Sequence, residues 1–226
     1  MTGKMVLWLL LSCVVTYFVC GIPFGLIVGS KEGHIDIRRV GSGNIGTTNV
    51  ARSVGAKAAG LTLFLDALKG FLSTLIWSHV FANVLFMGNF ERMAPTADFG
   101  WMPSIIFLFA IIGHVFSPYL KFKGGKGIAV GFGAALGYIP AVAMGLLLVF
   151  LVGAVPSRYV SVGSISTAIS LPIWAAIFGY APTTIYPLII ITLIVVWAHR
   201  ENIKKLAHHQ EKHFSFHHSG DKDKNA

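Results

Sequence analysis

The sequence predicts an all-α polytopic membrane protein of seven transmembrane helices, with its N-terminus outside and its C-terminus cytoplasmic. Three observations predict it. Mean hydropathy is +0.70 and only 12% of the 226 residues are charged, far from the composition of a soluble globular domain. Apolar runs recur along the chain, several of them near the ~20 residues that cross a hydrocarbon core. The basic residues also fall into alternate connections. In the stated orientation 15 of the 18 Lys and Arg are cytoplasmic, five, three, one and six in successive inner segments, leaving Lys4, Lys69 and Arg92.

The first run, Met5 to Gly29, is long enough to cross, and Pro23 bends or stops it near its end. Its flank lacks a small-residue cleavage site, so it reads as a retained helix. Cys13 and Cys20 lie seven apart within it and read as small apolar residues, not a disulfide. Residues 30 to 57 carry five cations against Glu32 and Asp36, which puts them in the cytoplasm. The second run, about 58 to 87, is interrupted by Asp66 and Lys69, on one face at i and i+3. Charges at that depth must be paired or turned toward a polar cavity, and the two roles are compatible. Residues 88 to 100 are nearly balanced in charge and suit an external loop. The third run spans about 101 to 116, with His114 read as a hydrogen-bonded structural residue. The fourth, Ile128 to Tyr138, is short and glycine-rich, which points to close helix packing more than to a full lipid-facing span. Pro140 turns the chain into a fifth run, 141 to 155, ended at Pro156-Ser157-Arg158. The sixth continues to about Tyr180, and Ile185 to Ala198 forms the seventh. Residues 1–206 thus make one transmembrane domain, followed by a polar, His-rich tail, 207–226. That tail lacks acid or thiolate ligands at a metal-binding spacing and reads as solvated chain.

Four polar segments stand out against this background. Gly41 to Arg52 reads GSGNIGTTNVAR: its glycines permit left-handed backbone and close approach, its hydroxyls and amides supply hydrogen bonds, and Arg52 adds a planar fork for two phosphate oxygens. Tyr119 to Gly131 reads YLKFKGGKGIAVG, in which lysines and glycines lead directly into a helix N-terminus, as phosphate sites are built. It is not a Walker loop, since the GxxxxGK[ST] spacing is absent. Ser157, Ser161 and Ser164 fall at i, i+4 and i+7 and could line one helix face, although small residues also serve as packing seams. HRENIKKL, His199 to Leu206, places His199 and Asn202 on one face. A solvated loop or a plain positive-inside turn explains any one of these alone. In the predicted topology all four meet at the inner face.

The chemistry is narrowed by what is missing. There is no HxxxxD pattern, GxSxG elbow, HExxH or aspartate-rich metal motif. The net charge of +9 lies in short loops between apolar runs, so it marks lipid headgroups and phosphorylated substrates, and not nucleic acid.

GSGNIGTTNVAR, Asp66 with Lys69-Gly70, KFKGGKG, the serine stretch at 157 to 167 and HRENIKKL, in that order, resemble the PlsY family of bacterial acyl-phosphate:glycerol-3-phosphate acyltransferases over about residues 5 to 206. The resemblance implies an inner-membrane enzyme that moves a fatty acyl group from acyl phosphate to the sn-1 hydroxyl of glycerol 3-phosphate, giving lysophosphatidic acid and phosphate. It implies no cofactor and no metal, neither acyl-CoA nor acyl carrier protein as direct donor, and a functional link to an enzyme that makes acyl phosphate. Onto the family's motifs fall Ser42, Arg52, Lys126, Ser164, His199 and Asn202 as the phosphate and glycerol site, with Gly43, Lys123 and Ser161 beside them as binding residues. Backbone N–H groups of Gly124, Gly125 and Gly127 are expected to cradle an anion, Asn44 and Asn49 to orient the first loop, and Glu201 to pair with Lys204 or Lys205. His199 stands either as general base or as a ligand of the substrate. The rival classes are a transporter of phosphorylated metabolites and a structural scaffold. The first is disfavoured by polar segments clustered at one face and the lack of an inverted repeat, the second by the cost of so many polar groups at helix ends.

Overall fold

The computed structural model describes residues 2–213, and every regular element among them is helical. His217 and His218 of the expected tail lie outside the described residues. The first apolar run is split where Pro23 withdraws a backbone donor, into α1 (Gly3–Gly21) and α2 (Phe24–Gly33). A short α3 (Thr47–Ser53) leads into α4 (Ala56–Phe86), the longest helix, at 31 residues. Then follow α5 (Trp101–Val115), α6 (Ile128–Tyr138), α7 (Pro140–Ser157), α8 (Val160–Ile177), α9 (Pro182–Ala198) and α10 (Arg200–Ala207).

With α1 and α2 counted together, five spans among the described residues are long and apolar enough to cross a membrane, and the count reaches six when α9 and α10, bent by 55° at their junction, are taken as one broken span. The remaining apolar helix, α6, has 11 residues, about 16 Å at 1.5 Å per residue, roughly half a hydrocarbon core. Large apolar side chains such as Leu7, Leu72, Val152, Ile173 and Leu193 point outward from five different helices. An apolar belt of that extent suits lipid and not water.

Close packing of small residues carries α6 against α4. A Cβ on Gly133 would come within 1.8 Å of the Ala67 carbonyl oxygen, and one on Gly70 within 2.1 Å of that of Val130. The Thr74 hydroxyl donates to the Ala134 carbonyl across the same seam, at 3.0 Å. The main core lies where α5, α6, α7, α8 and α9 converge, around Phe107, Ile111, Val142, Leu171 and Leu188.

Asp66 and Lys69 are both almost fully buried and pair at 2.7 Å. The ammonium also donates to the Ile22 carbonyl at the α1–α2 break, 2.7 Å away, and to His114 Nδ1 at 3.1 Å. The ammonium therefore makes two hydrogen bonds besides its ion pair with Asp66. One side chain of α4 thus ties the break to the end of α5, and His114 must carry its own proton on Nε2.

Candidate active site

Between α4 and the α7–α8 pair the helices part around a cavity of about 1130 Å³, larger than most small-molecule sites. One end is polar. Its residues come from all four of the segments singled out above, from Gly41 to Lys205.

The first loop is built around a buried amide. Asn49 Oδ1 accepts the Ser42 N–H at 2.9 Å, and Asn49 Nδ2 donates to the carbonyls of Ile37, Val40 and Asn44 at 2.9 to 3.1 Å. Asn44 Oδ1 in turn accepts from the Gly46 N–H at 2.8 Å. Gly41 and Gly43 have φ of +59 and +70, which a side chain would strain. Gly43 serves this turn and does not line the cavity. Ser42, Asn44 and Asn49 do, and so does Arg52, one turn after Asn49 on α3.

In the second loop the expectation of a glycine cradle is corrected. The N–H groups of Gly124 and Gly125 donate to the carbonyls of Val115 and His114, at 2.9 and 3.1 Å, so they are spent on the C-terminus of α5 and cannot also hold an anion. The glycines are there for closeness: a Cβ on Gly125 would lie 2.2 Å from His114 Nε2. Lys123 projects into solvent, away from the cavity. Lys126 is the lysine that enters, and Gly127, at φ +86, lets α6 begin beside it with Ile128 and Ala129 at the cavity wall. Burial lowers the Lys126 pKa to about 8; the Glu211 charge opposes the shift, while Lys205 and Arg52 add to it.

On the third segment α8 begins only at Val160, so the regular spacing from Ser157 is broken. Ser157 bonds back to the Gly153 carbonyl and receives the Tyr159 N–H. Ser161, Ser164 and Thr167 do line the cavity, at i, i+3 and i+6. On the fourth, His199 sits at the bend with 2% of its surface exposed and donates from Nδ1 to the Val195 carbonyl at 2.8 Å. Its lone pair is therefore on Nε2. Asn202 accepts from the Lys126 ammonium, linking the second and fourth segments. Glu201 faces solvent near Lys204, 3.4 Å away, while Lys205 turns to the cavity.

Asp66 forms part of the cavity floor as well as the ion pair, with His114 beside it. Sequence reasoning missed Glu211, whose carboxylate accepts from Asn202 and Ser161. With Asp66 matched by Lys69, the cations Arg52, Lys126, Arg158, Lys205 and Lys212 outnumber Glu211, the one other carboxylate among the described lining residues. The polar end therefore attracts anions.

The other end is apolar, walled by Phe107, Ile111, Phe132, Leu146, Leu171 and Ile191. Leu63 and Phe64 on α4 and Val155 on α7 line the cavity and are also strongly exposed on the outer surface. The cavity thus opens sideways as well as at its polar end.

The family profile described as glycerol-3-phosphate acyltransferase matches residues 10–209. The chain belongs to this family. Glycerol-3-phosphate acyltransferase of Endomicrobium trichonymphae is 39% identical over 202 residues, covering 89% of this chain and 94% of that one. The enzyme of Geobacter sulfurreducens is 37% identical over 205 residues, 91% and 97% of the two chains. Among solved structures, the glycerol 3-phosphate form of PlsY (YgiH), an integral membrane glycerol 3-phosphate acyltransferase, superposes with a TM-score of 0.79 at 33% identity, covering 92% of this chain and 96% of that one. Its lysophosphatidic acid form gives 0.77 at 32%. This glycerol-3-phosphate acyltransferase family member shares the fold of an integral membrane enzyme over nearly its whole described length.

Proposed function

We propose that the chain transfers a fatty acyl group from acyl phosphate to the sn-1 hydroxyl of glycerol 3-phosphate, releasing lysophosphatidic acid and inorganic phosphate. One observation carries the reading: a single cavity joins a cation-rich end to an apolar end that opens on the lipid-facing surface. A molecule with a charged head and a fatty chain fits both halves, and so does its smaller, wholly polar co-substrate at the first half. We further place the protein in the bacterial inner membrane with seven crossings, the short α6 included, its N-terminus outside and the polar end of the cavity cytoplasmic, as the basic residues favour. Residues 1–206 act as one domain.

In this reading Arg52 and Lys126 hold phosphate, Ser42, Ser161 and Ser164 donate to its oxygens, and Asn202 positions Lys126 through their hydrogen bond. His199 Nε2 accepts a hydrogen bond from the glycerol moiety and orients it, while the attacking hydroxyl faces the acyl phosphate. The hydroxyl oxygen bonds to the acyl carbon, the bond from that carbon to the phosphate oxygen breaks, and the hydroxyl proton leaves with the phosphate. An acyl phosphate is a mixed anhydride with a good leaving group. Alignment and stabilisation of developing negative charge therefore supply the rate, without a strong base. Asn44, Asn49 and Gly43 hold the first loop, while Gly124, Gly125 and the Asp66–Lys69–His114 cluster hold the second. The acyl donor comes from a separate enzyme that makes acyl phosphate.

The test is direct. Detergent-purified protein given palmitoyl phosphate and glycerol 3-phosphate should release phosphate and form lysophosphatidate in equal amounts. Product from palmitoyl-CoA and none from palmitoyl phosphate would reject the donor, and no product from either would reject the reaction.

A further inference from the structure

The chain beyond α10 does not run straight on into solvent. The helix ends in a two-bond cap: the Gln210 N–H reaches the Lys205 carbonyl at 2.7 Å and the His209 N–H the Leu206 carbonyl at 3.2 Å. His209 has φ +54, the left-handed conformation such a cap requires. This turn sends the following residues back over the cavity mouth.

Of residues 207 to 213, all are exposed except Glu211. Its Oε1 accepts from Asn202 Nδ2 at 2.7 Å and from the Ser161 hydroxyl at 3.1 Å. Arg52 Nη2 donates to the carbonyls of Lys212 and His213, at 3.1 and 3.4 Å. The His213 ring stacks on Tyr159, with centroids 4.4 Å apart. Residues from three of the four polar segments thus converge on the tail. The donors engaged are ones a substrate phosphate would need, and a carboxylate and a phosphate cannot share them, both because each donor has few protons and because the two charges repel. The family profile ends at residue 209, so Glu211 lies beyond the sequence this chain shares with it.

We propose that the anion pocket is a binding site for the chain's own tail, with the Glu211 carboxylate standing in the place of a substrate phosphate, so that tail and substrate compete. This rests on the pocket being the phosphate site of the proposed reaction. Acyl transfer then proceeds only from the fraction of molecules whose tail has swung away, which raises the apparent KM and leaves the chemical step untouched.

The experiment compares the full chain with its Glu211→Gln variant, which keeps shape and removes charge. Calorimetric titration with inorganic phosphate should show binding about three- to tenfold tighter in the variant. In the parent protein, phosphate should accelerate tryptic cleavage of the Lys212–His213 bond, whose carbonyl Arg52 holds. In Glu211→Gln that cleavage should already be fast without phosphate. Equal or weaker phosphate binding by the variant, no phosphate binding by either protein, or cleavage indifferent to phosphate would each overturn the proposal. Neither measurement uses acyl transfer. If both succeed while no lysophosphatidate is ever formed, the reaction is misassigned and the tail site stands.

Discussion

Raising the pH through 8 strips the ammonium proton from Lys126, and the grip on phosphate should loosen with it. Burial, set against the opposing charge of Glu211, brings this lysine to about 8 from an ordinary 10.5. With that value about nine-tenths of the free protein is charged at pH 7 and about 3% at pH 9.5. Because kcat/KM reports the free enzyme, it should fall about 30-fold across that range, with a limiting slope of −1. The second ionisation of the substrate phosphates has its midpoint near pH 6, about two pH units below this limb, and adds little to it. Lys126→Arg keeps a permanent charge and should flatten the limb, at a lower plateau because the guanidinium cannot repeat the contact with Asn202. A profile flat to pH 9.5 in the parent protein, or a limb that persists in Lys126→Arg, would refute the reasoning. For stability the sign is reversed: the folded chain holds this proton less tightly than the unfolded one, so the penalty is fully present below pH 8 and is relieved as pH rises toward 10.5.

Arg52→Ala should lower kcat/KM by roughly 30- to 1000-fold, from the loss of about 2 to 4 kcal/mol of charge-assisted contact, while the protein still inserts and binds detergent normally; near-parental turnover would remove Arg52 from the site. His199→Gln should lower kcat without changing the shape of its acid limb, since the substrate takes the proton. Disappearance of an acid limb in the variant would instead make His199 the base. Lys69→Met leaves the Asp66 carboxylate buried and unpaired, and should cost about 3 to 5 kcal/mol, read as a fall in the thermal unfolding midpoint in detergent, with Asp66→Asn restoring part of it; an unchanged midpoint would mean the pair is solvated.

The helices were legible in the sequence wherever an apolar run was long, because lipid leaves the backbone no partner but itself. Pro23 marked its break, and the glycines of α6 marked the close contact with α4. The site was legible as four segments because polar residues stand out in an apolar chain. Which atom of a segment does the work was not. Gly124 and Gly125 look like an anion cradle, yet their N–H groups go to α5, and only the fold reveals that partner. Ser157 sits at helical spacing from Ser161 but belongs to the preceding helix. Glu211 had no periodic signal at all: its place depends on a left-handed residue at His209, and histidine gives little hint of that conformation.

The sideways mouth beside Leu63, Phe64 and Val155 has a practical corollary. A greasy reactant that arrives through the wall is counted per area of bilayer, not per litre. Diluting it with surplus amphiphile would starve the protein even when its bulk molarity is unchanged. Apparent affinities for the fatty partner are then properties of the membrane as much as of the polypeptide.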